Sequence, residues 1–251
     1  KKQINFYNDN GFIILKNYYK KAMIDSIKLE CLGITNNKIK KYYKIYEPEN
    51  NKKIRSVLNI HEKDVFQKLI NKNLVEIGNS LLGGQIYIHQ SRINFKLNSS
   101  SNGWNWHSDF ETWFSQDGMQ QMRCFTCMIA VDDNTKSNGA LVVIPKSHKT
   151  FISCPKNGGI NSEDEFAEQT EGVPNKHYIN KILEKYKTKP KLLEINSGDL
   201  VLFDCNLLHY SGENKTNESR TNIYFVLNSI ENKLNNPNRP LEMANNNPKT
   251  L

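Results

Sequence analysis

Two periodicities of apolar residues divide the chain near residue 84. Over residues 18–32 (YYKKAMIDSIKLECL) apolar side chains fall at Met23, Ile24, Ile27 and Cys31, and Gly33 follows. That spacing predicts an amphipathic helix closed by a glycine. Over residues 64–82 they recur at Val65, Phe66, Leu69, Ile70, Leu74, Ile77 and Leu81, and Gly83-Gly84 ends the run. This is the strongest helical pattern in the chain. Both helices are expected to pack outside a sheet. Residues 34–56 between them are polar and lysine-rich with little period, and are expected to be a loop or lid.

From Gln85 the period falls to two. In QIYIHQSRINFKL, Ile88, Gln90, Arg92, Asn94 and Lys96 share one strand face, while Tyr87, His89, Ser91, Ile93 and Phe95 share the other. A polar strand face is either solvated or the lining of a polar cavity, and the pattern alone leaves both open. His89, on the opposite face, is expected to be a packed structural histidine. Further strands are predicted in MRCFTCMIAV, in Asp199 to Ser211 (DLVLFDCNLLHYS) as one strand running to His209, and in Ser219 to Ser229. Residues 155–191 form a polar insertion with short helices expected near 163–169 and 176–187, covering the site. Residues 232–251, rich in Asn and Pro, are expected to end in a loose tail. Helices early and strands late predict a mainly β protein with flanking α-helices: a double-stranded β-helix, the jelly-roll barrel. One domain over 1–251 is expected, with a helical layer to about residue 84, a jelly-roll core over about 85–231 and the tail.

A chain of 251 residues holds a substantial core. No run approaches the roughly 20 apolar residues of a membrane span. The start, KKQINFYNDNGF, lacks the apolar stretch of a signal peptide. It also lacks an initiator Met, so the numbered chain is read as beginning inside a longer one, soluble and cytoplasmic. The net charge of +8 admits a nucleic-acid or anionic-membrane partner. The lysines are scattered, however, without the aromatic platform of a single-strand binder, and the charge is read as a general lysine-rich surface. Five cysteines, an odd number, do not describe a disulfide framework. Cys124-x-x-Cys127 lies in an apolar strand with no second ligand pair nearby, so these are read as buried hydrophobes.

Candidate chemistry centres on Trp104 to Arg123, WNWHSDFETWFSQDGMQQMR. His107 and Asp109 flank one residue, so on a strand both point the same way. An imidazole and a carboxylate converging there supply two ligands of a 2-His-1-carboxylate triad, which leaves open positions on ferrous iron for a cosubstrate and dioxygen. His209, 102 residues after His107, supplies the third ligand. Arg220, eleven residues later, offers the guanidinium fork that clamps the far carboxylate of 2-oxoglutarate. Glu111 is read as a neighbour of the triad rather than a ligand, Asp204 as facing away from it, and His148 as capping a turn.

The same stretch resembles the ectoine hydroxylases, a branch of the phytanoyl-CoA dioxygenase-like iron(II)/2-oxoglutarate oxygenases. Their signature runs close to F-x-W-H-S-D-F-E-T-W-H-x-E-D-G-M-P-x-M-R. IYIHQSRIN, NGALVVIPKSHK, FDCNLLH and SRTNIYFVLNS also look like their counterparts, so the resemblance covers about residues 60–240. It implies an oxidoreductase, a dioxygenase using Fe(II), 2-oxoglutarate and O2, with His107, Asp109 and His209 as iron ligands. It further implies cosubstrate contacts from Arg220, Ser211, Asn94 and Trp104, and substrate contacts from Gln90, Trp113, Cys124, Thr126, Asn222 and Tyr224. The Asp109 carboxylate, which related halogenases lack, implies hydroxylation.

Several positions depart from the pattern. Phe114 stands for His, Gln120 for Pro, Trp104 and Tyr224 for Phe, Tyr210 for a small residue, and Cys124 and Thr126 for Ala and Ser. Ectoine 5-hydroxylation is therefore the leading expectation. A sister hydroxylase of another free amino or imino acid or a biosynthetic intermediate is the alternative, ahead of a non-catalytic ligand-binding barrel. The expected partner is a small molecule, with neither nucleic acid nor membrane, and a homodimer is left open.

Overall fold

A computed structural model describes residues 2–36, 38–39, 42–48, 50–98, 102–154, 172–245 and 249–251. The helix expected near 163–169, the first part of the insertion and the tip of the 98–103 loop lie outside them. The described residues form two facing sheets and an outer helical layer. The larger sheet has the order β1-β9-β6-β11-β4-β3-β2, built from β1 (Phe12–Leu15), β2 (Tyr43–Glu47), β3 (Asn50–Leu58), β4 (Ile86–Lys96), β6 (Cys124–Ala130), β9 (Leu200–Asp204) and β11 (Arg220–Ser229). The smaller has the order β5-β10-β7-β8, from β5 (Trp104–His107), β7 (Leu141–Val143), β8 (Lys191–Leu192) and β10 (His209–Ser211). This is the jelly-roll arrangement as a two-sheet sandwich. No helix among the described residues is long and apolar enough to cross a membrane.

Helices α1 (Lys2–Asn10), α2 (Lys21–Thr35), α3 (Asp64–Gln67) and α4 (Lys72–Leu82) precede the longest strand, while α5 (Asp109–Asp117) and α6 (Lys176–Lys185) interrupt the later ones. Ile24 and Ile27 of α2 and Leu74 of α4 are buried with Ile86, Ile93, Phe125, Ile223 and Phe225, forming the core between helices and sheet. Burying each such side chain contributes about 1.5–3 kcal/mol. A second core, with Met128, Phe203 and Tyr224 from the larger sheet and Leu141 and Val143 from the smaller, lies between the sheets.

Several expectations are corrected. The helix expected to stop at Gly33 continues to Thr35. The single helix over 64–82 is two, because the Asn71 side chain accepts the Leu74 N–H at 2.9 Å and caps a fresh start. Tyr43–Glu47 and Asn50–Leu58 pair as antiparallel strands on the edge of the larger sheet rather than forming a loop or lid. Their polarity misleads because Arg55 and Glu47 are buried as a pair, 3.0 Å apart. The stretch from Asp199 to Ser211 is two strands, β9 and β10, in different sheets.

Strand β4 is buried along its whole length, so its polar face lines the interior of the sandwich rather than meeting water. A bulge opposite Val226/Leu227 breaks its alternation. Ile88 consequently packs in the core under the helices, whereas His89 turns toward Trp113, its ring 5.2 Å away edge-on.

The described residues of the tail are docked, not loose. Asn235 N–H donates to Gly118 O at 3.1 Å and Asn238 N–H to Gln116 O at 2.8 Å. Arg239 grips Asp117 with two hydrogen bonds of 2.7 and 2.5 Å. At Gly118 (φ +67) a Cβ would lie 2.0 Å from Asn235 O, so the tail crosses the end of α5 where only glycine fits.

Candidate active site

His107 closes β5 and Asp109 opens α5, so the triplet straddles a strand-to-helix junction instead of lying on one strand. Ser108 between them is extended (φ −112, ψ 140), which keeps both side chains on one side. The first turn of a helix also favours a carboxylate. His209 opens β10 and pairs in register with His107, bringing the imidazole centroids to 4.1 Å. Asp109 Oδ1 lies 3.6 Å from His107 Nε2 and 4.0 Å from His209 Nε2. One ligand atom from each of the three buried residues falls within 4.8 Å of the others.

Each ring is oriented by the backbone carbonyl two residues before it. His107 Nδ1 lies 2.7 Å from Asn105 O and His209 Nδ1 2.9 Å from Leu207 O. A carbonyl only accepts, so Nδ1 carries the proton and Nε2 presents its lone pair to the centre. Thr126 Oγ1 donates to Asp109 Oδ2 at 3.1 Å, leaving Oδ1 toward the histidines. Burial, then His107, lower the His209 pKa to about 4, which keeps the imidazole neutral. Burial pushes the Asp109 carboxyl up, but His107, His209 and Arg92 outweigh it and hold it well below the usual carboxylate range. Two imidazole nitrogens and one carboxylate oxygen gathered on one side fit ferrous iron with open positions.

Away from the triad, Arg220 opens β11 directly opposite Lys96 on β4. It is 2 % exposed. Its Nη2 donates to Gly139 O at 2.7 Å, and its Nε finds no hydrogen-bond partner among the described residues. A buried, orphaned guanidinium N–H is what a carboxylate would satisfy. Lys96 Nζ donates to Ser211 Oγ at 3.0 Å. The Arg55 guanidinium lies 3.8 Å over the Trp104 ring. Asn94 Oδ1 accepts from Ser56 Oγ at 2.9 Å.

Lys96 thus joins Arg220, Ser211 and Trp104 at one buried, positively charged recess, whereas Asn94 is engaged with Ser56. A cleft of about 960 Å³, lined by Arg55, Trp104, Tyr210 and Ser211 among others, borders this recess from outside without touching the triad residues.

Of the residues expected at substrate, Gln90 is held by the tail, its Nε2 donating to Met243 O at 2.9 Å and its Oε1 accepting from Arg92. Tyr224 lies 4.9 Å from the Arg92 guanidinium. Cys124 and Trp113 are buried with Phe110, Met119, Cys205 and Val226 beneath α5. Two of the expected substrate residues make other contacts. Thr126 holds the Asp109 carboxylate. Asn222 either exchanges hydrogen bonds with Asn134 at 3.0 and 2.8 Å or, with its amide turned over, accepts from Arg220 Nη1 at 2.8 Å.

Sequence reasoning gave no role to Arg92, Lys96 or the tail. The first two sit on the same face as Gln90 and Asn94, so strand parity was the signal. Nothing in the hydropathy pattern marks the tail.

Comparison with known proteins gives a consistent picture. Residues 7–222 match the family Phytanoyl-CoA dioxygenase (PhyH). The ectoine dioxygenase of Streptomyces coelicolor is 39% identical over 194 residues, 75% of this chain and 63% of that protein. The chain therefore spans a little under two thirds of that relative. The ectoine dioxygenase of Halomonas elongata is 33% identical over 243 residues, 94% of this chain and 71% of that one. The crystal structure of EctD from S. alaskensis in its apoform superposes with a TM-score of 0.87 at 30% identity, over 100% of this chain and 85% of that one. The same enzyme with 2-oxoglutarate and 5-hydroxyectoine gives 0.84 at 28% identity, over 97% and 83%.

Proposed function

The chain belongs to the phytanoyl-CoA dioxygenase family, and we propose that within it this protein hydroxylates ectoine to 5-hydroxyectoine with Fe(II), 2-oxoglutarate and O2. The observation that carries the reading is a buried cluster of acceptors at one end of β10 and, from Ser211 on the same strand, a buried cluster of donors. His107, Asp109 and His209 offer lone pairs to a cation, and Arg220 offers an unpaired N–H to an anion. A cosubstrate with a 2-oxo acid at one end and a carboxylate at the other spans that arrangement. The names of the relatives, and the 5-hydroxyectoine bound by the EctD structure, support the choice of substrate.

Bound iron and 2-oxoglutarate supply the oxidation: O2 gives one oxygen atom to succinate, formed with carbon dioxide, and one to the substrate. The protein's own part is binding and orientation. Nε2 of His107 and His209 and Oδ1 of Asp109 hold the metal. Arg220 Nε and the Ser211 hydroxyl receive the far carboxylate, and Trp104 walls the recess. Arg92, which acts electrostatically on Asp109 and lies against Tyr224 and Gln90, supplies positive charge for the carboxylate of a zwitterionic substrate. All three triad residues are buried, so the reacting centre is shielded from bulk water.

The test is succinate release by the purified protein with ferrous iron and 2-oxoglutarate, comparing ectoine, proline and related imino acids, and no substrate. Ectoine-dependent succinate with a product one oxygen heavier is expected. Turnover with a different acid alone would replace ectoine while keeping the reaction. Iron binding without turnover on any of them would sink the proposal.

A further inference from the structure

Two structural costs fall together on His89. The pairing of β4 with β11 passes from Gln90 opposite Val226 to Ile88 opposite Leu227, so His89 is the extra residue of the bulge. A bulge interrupts the ladder and re-aims a side chain, here away from the helical side where strict alternation would put it. The imidazole is fully buried. Its Nε2 comes within 3.3 Å of Asp117 Oδ2 without the alignment of a hydrogen bond, and its Nδ1 has no hydrogen-bond partner among the described residues. An apolar ring of the same size would sit there at less cost to stability. The tail repairs the backbone but not the side chain: Asn245 donates its N–H to His89 O at 3.0 Å and its Nδ2 to Ile88 O at 2.8 Å.

What the bulge brings about is a contact with α5. The His89 ring meets Trp113 edge-on, with centroids 5.2 Å apart and planes at 75°. Asp109, Trp113 and Asp117 are spaced one turn apart and all buried, so they form one stripe along the helix. His89 touches the last two members of that stripe, and Gln90 follows it on the strand. Asp117 is fixed in turn by Arg239 at 2.7 Å. We propose that His89 is a positioning residue for the substrate: held through Nε2 against Asp117, it sets the plane of the Trp113 indole. The proposal rests on the reading that the substrate lies against Trp113. An edge-on neighbour restrains rotation of the indole. A tilted indole would misplace the substrate relative to the metal while leaving the ligands His107, Asp109 and His209 undisturbed.

The experiment compares His89→Phe, which keeps a ring but loses the attachment to Asp117, with His89→Gln, which keeps a donor but loses the ring. With ectoine, or the acid turned over in its place, His89→Phe should raise the substrate KM about fivefold and leave the KM for 2-oxoglutarate level. Succinate released per hydroxylated product should rise, because the cosubstrate is consumed with the substrate misplaced. Stability of the metal-free protein to denaturant should stay level or rise, since an unsatisfied polar group is gone. His89→Gln should raise the substrate KM at least as much, and it carries the same test where His89→Phe does not fold. A wild-type substrate KM in His89→Phe would mean that the ring only fills space, which overturns the proposal. So would a loss of stability with both KM values moved alike. In a Trp113→Ala background His89→Phe should change the substrate KM no further, and independent effects would show that His89 does not act through Trp113. A second readout needs no turnover. His89→Gln should alter the near-ultraviolet circular dichroism of the metal-free protein, and the alteration should vanish in a Trp113→Phe background; its persistence there counts against the proposal. If Trp113→Ala leaves the substrate KM of an active protein unchanged, the reading that puts substrate against Trp113 is at fault and the proposal falls with it. A raised KM in Trp113→Ala beside unchanged values in both His89 variants faults His89 alone.

Discussion

Two buried clusters joined through β10 are built with opposite imbalances. At the metal end three acceptors, Nε2 of His107, Nε2 of His209 and Oδ1 of Asp109, converge within 4.8 Å of one another. At the recess the unpaired group is a donor, Arg220 Nε, with the buried Lys96 beside it across the strand pair. Folding alone explains neither, since unpaired buried polar groups cost stability. A divalent cation would complete one end and a carboxylate the other. The contrast sharpens against a third region, the Arg239–Asp117 pair, which is internally matched. Burial pushes the Asp117 carboxyl up, and Arg239 with His89 more than compensates, leaving it below the ordinary carboxylate value. An imbalance marks a ligand, and a matched pair marks structure.

If so, substitutions at the three regions should fail in different ways. His107→Ala or Asp109→Ala should abolish turnover, by at least about a thousandfold, and abolish metal binding. Both residues sit at element ends, so the melting temperature of the metal-free protein should hold. Retained turnover in either variant would remove it from the triad. Arg239→Met should do the reverse, stranding Asp117 and lowering stability by about 3 kcal/mol, measured by denaturant unfolding of the metal-free protein. An unchanged stability would mean the pair is dispensable and the tail is held by its backbone bonds alone.

Arg220→Ala stands between these. Its KM for 2-oxoglutarate should rise about thirtyfold with the KM for substrate little changed, while stability stays level or rises because an uncompensated buried charge is gone. A larger effect on substrate than on cosubstrate would show that the recess holds the wrong molecule.

The same imbalance explains what could be read from the chain. A triad needs particular residue types at particular spacings, so His107, Asp109, His209 and Arg220 stand out in sequence even though the strand carrying them was drawn wrongly: the junction at Ser108 preserves the side-chain directions that a strand would give. Lys96 and Arg92 were half visible, through parity along β4. The bulge in that strand was not, and it moved His89 from the helical side to a place beside Trp113. Matched pairs hide best. Arg55 with Glu47, and Arg239 with Asp117, gave their segments the polarity of loops because each charge is satisfied by a partner distant in sequence or across a strand pair. The tail adds backbone bonds to α5 and to β4, which leave no hydropathy trace at all.

Thr126 is where the metal end can be tested most finely. Its hydroxyl holds Asp109 Oδ2 at 3.1 Å, so one carboxylate oxygen is engaged by the protein while the other faces the histidines. Val has nearly the same shape without the donor. Thr126→Val should therefore leave the fold of β6 intact and cost little stability, since the carboxylate keeps His107, His209 and Arg92 as neighbours. Metal affinity should fall about tenfold, the usual consequence of losing one supporting bond behind a ligand, as read by competition with a chelator. Thr126→Ser, which keeps the donor, should recover it. If the two substitutions weaken metal binding equally, the hydroxyl does not orient Asp109 and Thr126 contributes only its methyl group to the wall of the cavity. If instead metal affinity is unchanged in both and only the KM for substrate moves, Thr126 belongs to the substrate surface, and the acceptor cluster holds its geometry without help from β6.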